Sequence, residues 1–255
     1  MRTTTCKLTI AALLIAASCR KAPPRRAEAP AEPHALPTTK AQPPSAIECP
    51  LAKQGVTPES LHPFADAEKY IAFLERPDRA SWQRPDEVVS ALGLANHDVV
   101  ADVGAGSGYF SFRFARALPA GEVVAIDIQP EMIRHIHHKA MTEGTHNLHV
   151  VLAKADDPGV PANATLVFMC DVLHHVPDRA TWLGKLVAQM PPGSRLALVE
   201  FKEGKLPEGP PEGVKIPKTD LLALVKRAGL ELMADRPQLL PYQHFLLFRK
   251  PRLER

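Results

Sequence analysis

From about Pro63 the chain alternates short apolar runs with stretches of helical period. Phe64, Ala67, Tyr70, Ile71 and Leu74 recur at spacings of three and four, which predicts a helix ending near Pro77. Pro85 suits a helix first turn, with Asp86 and Glu87 near the positive dipole end. That helix runs through Val88, Val89 and Leu92 and stops at Gly93. Strands and helices then follow in turn. Strands are expected at Asp98 to Asp102, Glu122 to Asp127, Asn147 to Leu152, Ala164 to Cys170 and Arg195 to Phe201. Helices are expected at Tyr109 to Leu118, Pro130 to about Met141, Asp178 to Met190, and Thr219 to Ala228, the last opened by a capping threonine and Asp220. Two further strands, Glu231 to Arg236 and His244 to Arg249, have little between them and must pair as a hairpin.

Short apolar strands alternating with amphipathic helices imply a parallel sheet covered on both faces. Right-handed crossovers make it doubly wound, an α/β Rossmann-like sheet. Ligands of such sheets bind at the carboxyl ends of the strands, near the switch point. The Gly- and Pro-rich stretch EGKLPEGPPEGVKIP leaves from that edge and is expected to act as a substrate-side lid.

The first sixty residues lack this alternation. Arg2 and Lys7, an apolar stretch from Leu8 to Ala17, and the small residues Ala16-Ala17-Ser18 before Cys19 read as an export signal. The stretch is far short of the roughly 20 residues that span a bilayer. It resembles a bacterial lipoprotein signal, with Cys19 as the lipid-bearing first residue. Plain secretion and an unused signal, which would leave the chain cytoplasmic, are the alternatives. Residues 20–50 contain eight prolines and no apolar period. Such a segment cannot offset its ordering entropy by burial and reads as a disordered tether. The organisation expected is therefore signal 1–19, tether 20–60 and one folded domain 61–255, in the cell envelope and held to the membrane through Cys19.

Charge and composition exclude little else. The chain has 31 basic and 28 acidic residues, and aromatics are 5%, so neither a basic nucleic-acid face nor a base-stacking platform is suggested. Its four cysteines, Cys6, Cys19, Cys49 and Cys170, have no metal-ligand spacing and imply no disulfide framework. Cys170 reads as a small buried hydrophobe. His135, His137 and His138 do not form a metal-binding face on their helix and read as solvated surface; no metal is expected.

The chemistry gathers around VADVGAGSGYF, where Gly104, Gly106 and Gly108 follow the first strand of the alternation. A dinucleotide fingerprint fails at its third glycine, where Tyr109 stands, and a phosphate loop would need Gly-Lys-Ser/Thr. Glycine lets backbone approach a ligand closely. Asp102 in front of the loop suits a cationic or amine-bearing ligand better than a phosphate. Asp127, ending the second strand in VVAIDIQP, could accept two ribose hydroxyls. Asp156 or Asp157, after the third strand, could accept from an adenine amine.

With VADVGAGSGYF, AIDIQPEMI, LVFMCDVLHHVPD and MPPGSRLALVE in this order, the chain resembles the class I S-adenosylmethionine-dependent methyltransferases over most of residues 98–201. The resemblance implies a seven-stranded, mostly parallel sheet with an antiparallel C-terminal strand. It places Asp102, Gly104, Ala105, Gly106 and Gly108 around the methionine part of S-adenosyl-L-methionine, Asp127 on the ribose, Ile128 against the adenine, and Asp156 or Asp157 at the adenine amine. Asp171, His174 and His175 follow the fourth strand and face the reaction region. Asp171 is expected to touch cofactor or acceptor, and a histidine there could serve as base or simply pack. Trp82 is expected as a lid contact or an aromatic anchor. No Asn-Pro-Pro-Tyr follows the fourth strand, against methylation of nucleobase or amide nitrogens, and one domain cysteine argues against arsenic methylation. What remains is methyl transfer to a small organic acceptor, with oligomeric state open. The competing reading is a membrane-tethered, inactive nucleoside-binding module, favoured by export from the compartment that makes the cofactor.

Overall fold

The computed structural model describes residues 64–252. The expected signal with Cys6 and Cys19, the tether with Cys49, and the start of the expected domain lie outside the described residues. Helix α1 (Phe64–Leu74) leads into a five-residue helix α2 (Arg79–Gln83) and helix α3 (Pro85–Ala91). The alternation follows: β1 (Val99–Val103), α4 (Ser111–Ala117), β2 (Glu122–Asp127), α5 (Pro130–Glu143), β3 (Leu148–Leu152) and β4 (Leu166–Cys170). It continues through α6 (Arg179–Gln189), β5 (Arg195–Phe201), α7 (Lys218–Arg227), β6 (Glu231–Asp235) and β7 (Gln243–Arg249).

The seven strands form one sheet in the order β3-β2-β1-β4-β5-β7-β6. β1 to β5 are parallel, and β7 is antiparallel to both β5 and β6. The expected doubly wound, mostly parallel sheet is thus the one found. Strand order reverses between β1 and β4, which opens a crevice beyond their carboxyl ends.

Alternate strand residues feed two cores. On one face Val88, Phe112, Phe114, Ile136 and Ala140 of α3, α4 and α5 pack on Val100, Val123 and Phe168. On the other, Leu183, Leu186, Leu221 and Val225 of α6 and α7 pack on Ala101, Val167 and Leu198. β1 and β4 are buried on both faces, so, Asp102 in β1 apart, they read as continuous apolar runs and not as alternations.

Three local expectations differ from the structure. Helix α7 begins one residue earlier than its capping threonine would set. Pro217 occupies the cap, and the Lys218 N–H donates instead to Glu203 Oε1 at 2.8 Å. Helix α2, and the single turns Leu173–His175 and Glu212–Val214, are too short for a period to show in the sequence. His135 is not simply solvated: its Nε2 lies 3.3 Å from Glu75 Oε1, which also takes the Lys139 ammonium at 2.7 Å and so ties α5 to the end of α1.

Candidate functional site

The glycine loop turns tightly over the end of β1. The N–H groups of Gly104 and Ala105 both donate to Ile126 O, at 2.8 and 3.0 Å, which fastens the loop to β2. Gly104, Gly106 and Gly108 have φ of 74°, 56° and 80°, conformations that side chains resist. Space matters as well. A Cβ on Gly104 would lie 2.4 Å from Val172 Cγ2, and one on Gly106 would lie 3.2 Å from Leu74 Cδ1. Helix α1 and the turn after β4 therefore close on the loop from two sides.

Asp127 ends β2 beside this loop. Its Oδ2 accepts the Gly106 N–H at 2.8 Å, and its Oδ1 accepts the Gln129 N–H at 2.9 Å. Burial pushes its pKa up, and these backbone donors oppose the shift. The next residue, Ile128, is 56% exposed and leaves an apolar side chain open beside that carboxylate. Asp102 is placed differently from the expectation that it faces a ligand. It is buried, with Ser111 Oγ donating to its Oδ2 at 2.5 Å, and burial pushes its pKa to about 7. Its work is inside the protein, joining β1 to the start of α4.

Neither candidate for the adenine amine is drawn to the loop. Asp156 is largely exposed, with the Lys185 ammonium 3.5 Å away. Asp157 accepts from Gly159 N at 3.1 Å and Gln189 Nε2 at 2.6 Å. Both pair with α6, because the chain after β3 crosses to that face before entering β4.

The residues after β4 fall into two groups. Asp171 is held at φ 60°, one of two non-glycine residues with positive φ among the described residues. Both of its carboxylate oxygens accept from Gln243 Nε2, at 2.8 and 2.7 Å, and Oδ2 also accepts from Gln83 Nε2 at 3.2 Å. Burial, followed by the nearby Glu200 charge, raises its pKa to about 6, with Gln243 opposing. Cys170 is half-buried and not inert packing: Gln83 Nε2 lies 2.8 Å from its Sγ. His174 points elsewhere. It is buried, with Nδ1 2.8 Å from Glu200 Oε2, and the other Glu200 oxygen accepts from Val172 N at 3.1 Å and Leu173 N at 2.6 Å. This arrangement makes His174 a brace for the turn. His175 lies at the surface with its ring tilted 41° to that of His174, centroids 4.1 Å apart, and partial desolvation and that neighbour lower its pKa.

Two covering segments complete the site. In α2, Arg79 lies 4.1 Å above the Tyr109 ring and donates to Leu74 O at 2.7 Å and to Gln83 Oε1. Trp82 is buried against Phe201 and Tyr242, at 5.9 and 6.2 Å between centroids, so it anchors the arm to the ends of β5 and β7. The loop after β5, expected as a lid, is pinned: Glu208 pairs with Arg76, Lys215 Nζ donates to Gly204 O, and Gly209 lies against Phe201. A separate cleft of about 220 Å³ lies beside α4, between Glu75, Tyr109, Arg113 and Lys139; of the predicted site residues only Gly108 borders it.

Sequence reasoning missed Arg79, Gln83, Glu200 and Gln243. Glu200 carried a signal, a lone carboxylate in the apolar run LALVEF, which needs a buried partner. The two glutamines carried none, since α2 is too short to show a period and Gln243 only opens a strand.

Residues 101–196 match the family model of a methyltransferase domain. A trans-aconitate 2-methyltransferase of Mycobacterium tuberculosis is 30% identical over 133 residues, 52% of this chain and 47% of its own length. The chain thus spans about half the length of the curated relatives it matches first. The crystal structure of a SAM-dependent methyltransferase from Aquifex aeolicus superposes with a TM-score of 0.67 at 24% identity, over 72% of this chain and 98% of that one. The [4+2]-cyclase SpnF superposes at 0.57 and 17% identity, over 67% of this chain and 80% of that one. The described residues therefore carry the Rossmann-like fold of the S-adenosylmethionine-dependent methyltransferases, and residues 101–196 match a methyltransferase domain in sequence.

Proposed function

We propose that the chain binds S-adenosyl-L-methionine at the glycine loop and transfers its methyl group to a small organic acceptor. The observation that carries this reading is Asp127: its carboxylate sits at the end of β2, tied to the Gly106 N–H, with exposed Ile128 beside it. Each carboxylate oxygen keeps a lone pair for a ribose hydroxyl. Gly104, Ala105, Gly106 and Gly108 form a bend whose positive-φ glycines let the backbone come close to a ligand, and Ile128 offers an apolar surface to an adenine.

The cofactor, when bound, supplies an electrophilic methyl group on a cationic sulfur. The protein's part is orientation and exclusion of water, worth on the order of 7–11 kcal/mol for well-placed reactants. Asp127 and Asp171 also favour a cationic ligand electrostatically. Asp171, with a pKa raised by burial to about 6, can take a proton from an acceptor at neutral pH. His174 is committed to Glu200, which leaves Asp171 as the better base of the two.

Calorimetry with S-adenosylhomocysteine tests the reading. The wild type binds, Asp127→Ala weakens binding at least tenfold, and Gly106→Val abolishes it. No heat from the wild type, or wild-type affinity in both variants, defeats it.

The engagement of His174 by Glu200 also favours a second reading, binding without turnover. Transfer of label from the cofactor to any acceptor in cell extract excludes that. For location we infer export with a lipid on Cys19, on the pattern of residues 1–19 alone; mass spectrometry of the mature N-terminus decides it, and an intact Met1 would refute it.

A further inference from the structure

Helix α1 lies outside the stretch 101–196 that matches the methyltransferase model, yet its end closes on the glycine loop. Three contacts fix that end. Leu74 Cδ1 stands 3.2 Å from where a Cβ on Gly106 would lie. Leu74 O accepts from Arg79 at 2.7 Å. Glu75 meets Lys139 and His135 of α5, at 2.7 and 3.3 Å. Gly106 in turn donates its N–H to Asp127 Oδ2 at 2.8 Å. The end of α1 is therefore laid across the same loop that holds the carboxylate assigned to the ribose.

Tyr70 stands one turn before Leu74, so the two share a side of the helix. Ala67, Ile71 and Leu74 form its partly buried stripe, and Tyr70 sits at the edge of that stripe, 46% exposed. The Tyr70 ring stacks on Phe73, with centroids 6.4 Å apart and planes 11° from parallel, which restricts the side chain. Its hydroxyl feels Asp127: partial desolvation, and then the Asp127 charge, raise its pKa, while the Arg79 charge opposes them. The Asp127 oxygens nevertheless take the Gly106 and Gln129 N–H groups and, among the described residues, not this hydroxyl. Phenol and carboxylate are near enough for the charge to act and too far apart to bond. A polar group can stand between them.

Resting on the methyl-transfer reading, we propose that Tyr70 is a cofactor-binding residue whose hydroxyl donates to the ribose hydroxyl held by Asp127, so that α1 completes the nucleoside site. The three groups fit in one direction. Ionised Asp127 only accepts, so the ribose hydroxyl donates to it. The oxygen of that hydroxyl keeps its lone pairs, and a phenolic O–H is a donor that can meet them. A sugar without the hydroxyl gives Asp127 no donor and Tyr70 no acceptor. The glycine loop and Asp127 would then grip the nucleoside from the sheet, and Tyr70 would grip it from the helix laid over them.

The test is calorimetry on the full chain, wild type and Tyr70→Phe, with S-adenosylhomocysteine and its 2′-deoxy and 3′-deoxy analogues. Tyr70→Phe keeps the ring and its stack on Phe73, and the site is half exposed, so the fold is not at risk. The variant should bind S-adenosylhomocysteine roughly 3- to 10-fold more weakly, the worth of one neutral hydrogen bond, and should lose less than about twofold for the analogue that lacks the bridging hydroxyl. Unchanged affinity for S-adenosylhomocysteine overturns the proposal, with the methyl-transfer reading left standing. Equal losses for S-adenosylhomocysteine and both analogues overturn it too, since Tyr70 would then act by packing alone. A wild type that binds none of the three sinks the methyl-transfer reading, and this inference with it.

Discussion

Nδ1 of His174 lies 2.8 Å from Oε2 of Glu200, in a site where both side chains are almost fully buried. Glu200 also accepts two backbone N–H groups from the turn after β4, so one carboxylate shapes the whole approach from β4 to α6. Glu200→Gln should destabilise the protein by about 1–3 kcal/mol, since a buried network loses its charge-assisted bonds. The pH dependence identifies the cause. Burial alone would lower the His174 pKa, but the bond and charge of Glu200, with the Asp171 charge, raise it above 6.5. This stability is complete below 6.5 and is lost as pH rises through the raised, folded-state value. Thermal melts should therefore show a decline above that pH in the wild type and a smaller one in Glu200→Gln. Equal declines would remove Glu200 from the account.

Asp102 shares that dependence on pH, but its substitution should stabilise the fold. Burial is the chief reason its pKa is about 7, well above the ordinary 3.8, and the Ser111 bond only partly offsets it. Its neutral form is favoured in the fold, so stability present below pH 3.8 is lost as pH rises toward 7. Asp102→Asn keeps an acceptor for Ser111 and removes the charge. It should be more stable than wild type at pH 8, by at least about 1 kcal/mol. A variant less stable at every pH would show that the charged form is the one the fold needs.

Gly104 and Val172 should be energetically coupled. In Gly104→Ala the new methyl would meet Val172 Cγ2 at 2.4 Å, at a φ of 74°. The expected loss is about 2–4 kcal/mol, from overpacking and backbone strain together. Val172→Ala removes the clash but not the strain, so the double variant should recover part of the loss. Denaturant melts of the four proteins give the coupling directly. Strict additivity would mean that the turn does not press on the loop.

The pair Arg76–Glu208 joins the α1–α2 arm to the loop after β5. Both side chains are partly exposed, so Glu208→Gln should cost no more than about 1 kcal/mol of global stability. Hydrogen exchange in residues 203–216 should nevertheless quicken several-fold. Unchanged exchange there would show that Phe201, Lys215 and Glu203 hold the loop without the pair.

The sheet was legible because its signals are local. Apolar runs of strand length, Pro85 and Pro130 at helix starts, and glycines at helix ends fix the alternation residue by residue. The glycine loop and Asp127 were legible for the same reason, since both follow strands directly. The lateral partners were not. Gln83 and Gln243 are 160 positions apart and meet at Asp171 only because β7 returns beside β5. Asp156 and Asp157 misled in the opposite sense: proximity to a strand end in sequence did not foresee that Lys185 and Gln189 would draw them to α6. Asp102 misled because nothing local reveals that its hydrogen-bond partner is Ser111, in the helix that follows.

The last strand occupies an interior place in the sheet, between β5 and β6, pairing with β5 from Gln243 to Arg249. During synthesis β5 and β6 must wait, with unsatisfied edges, until residue 249 clears the ribosome. Open strand edges at that stage are the places where mispairing can start. The unfinished chain also lacks the Gln243 amide that holds both oxygens of Asp171, so the end of β4 is set only when the final wedge is in place.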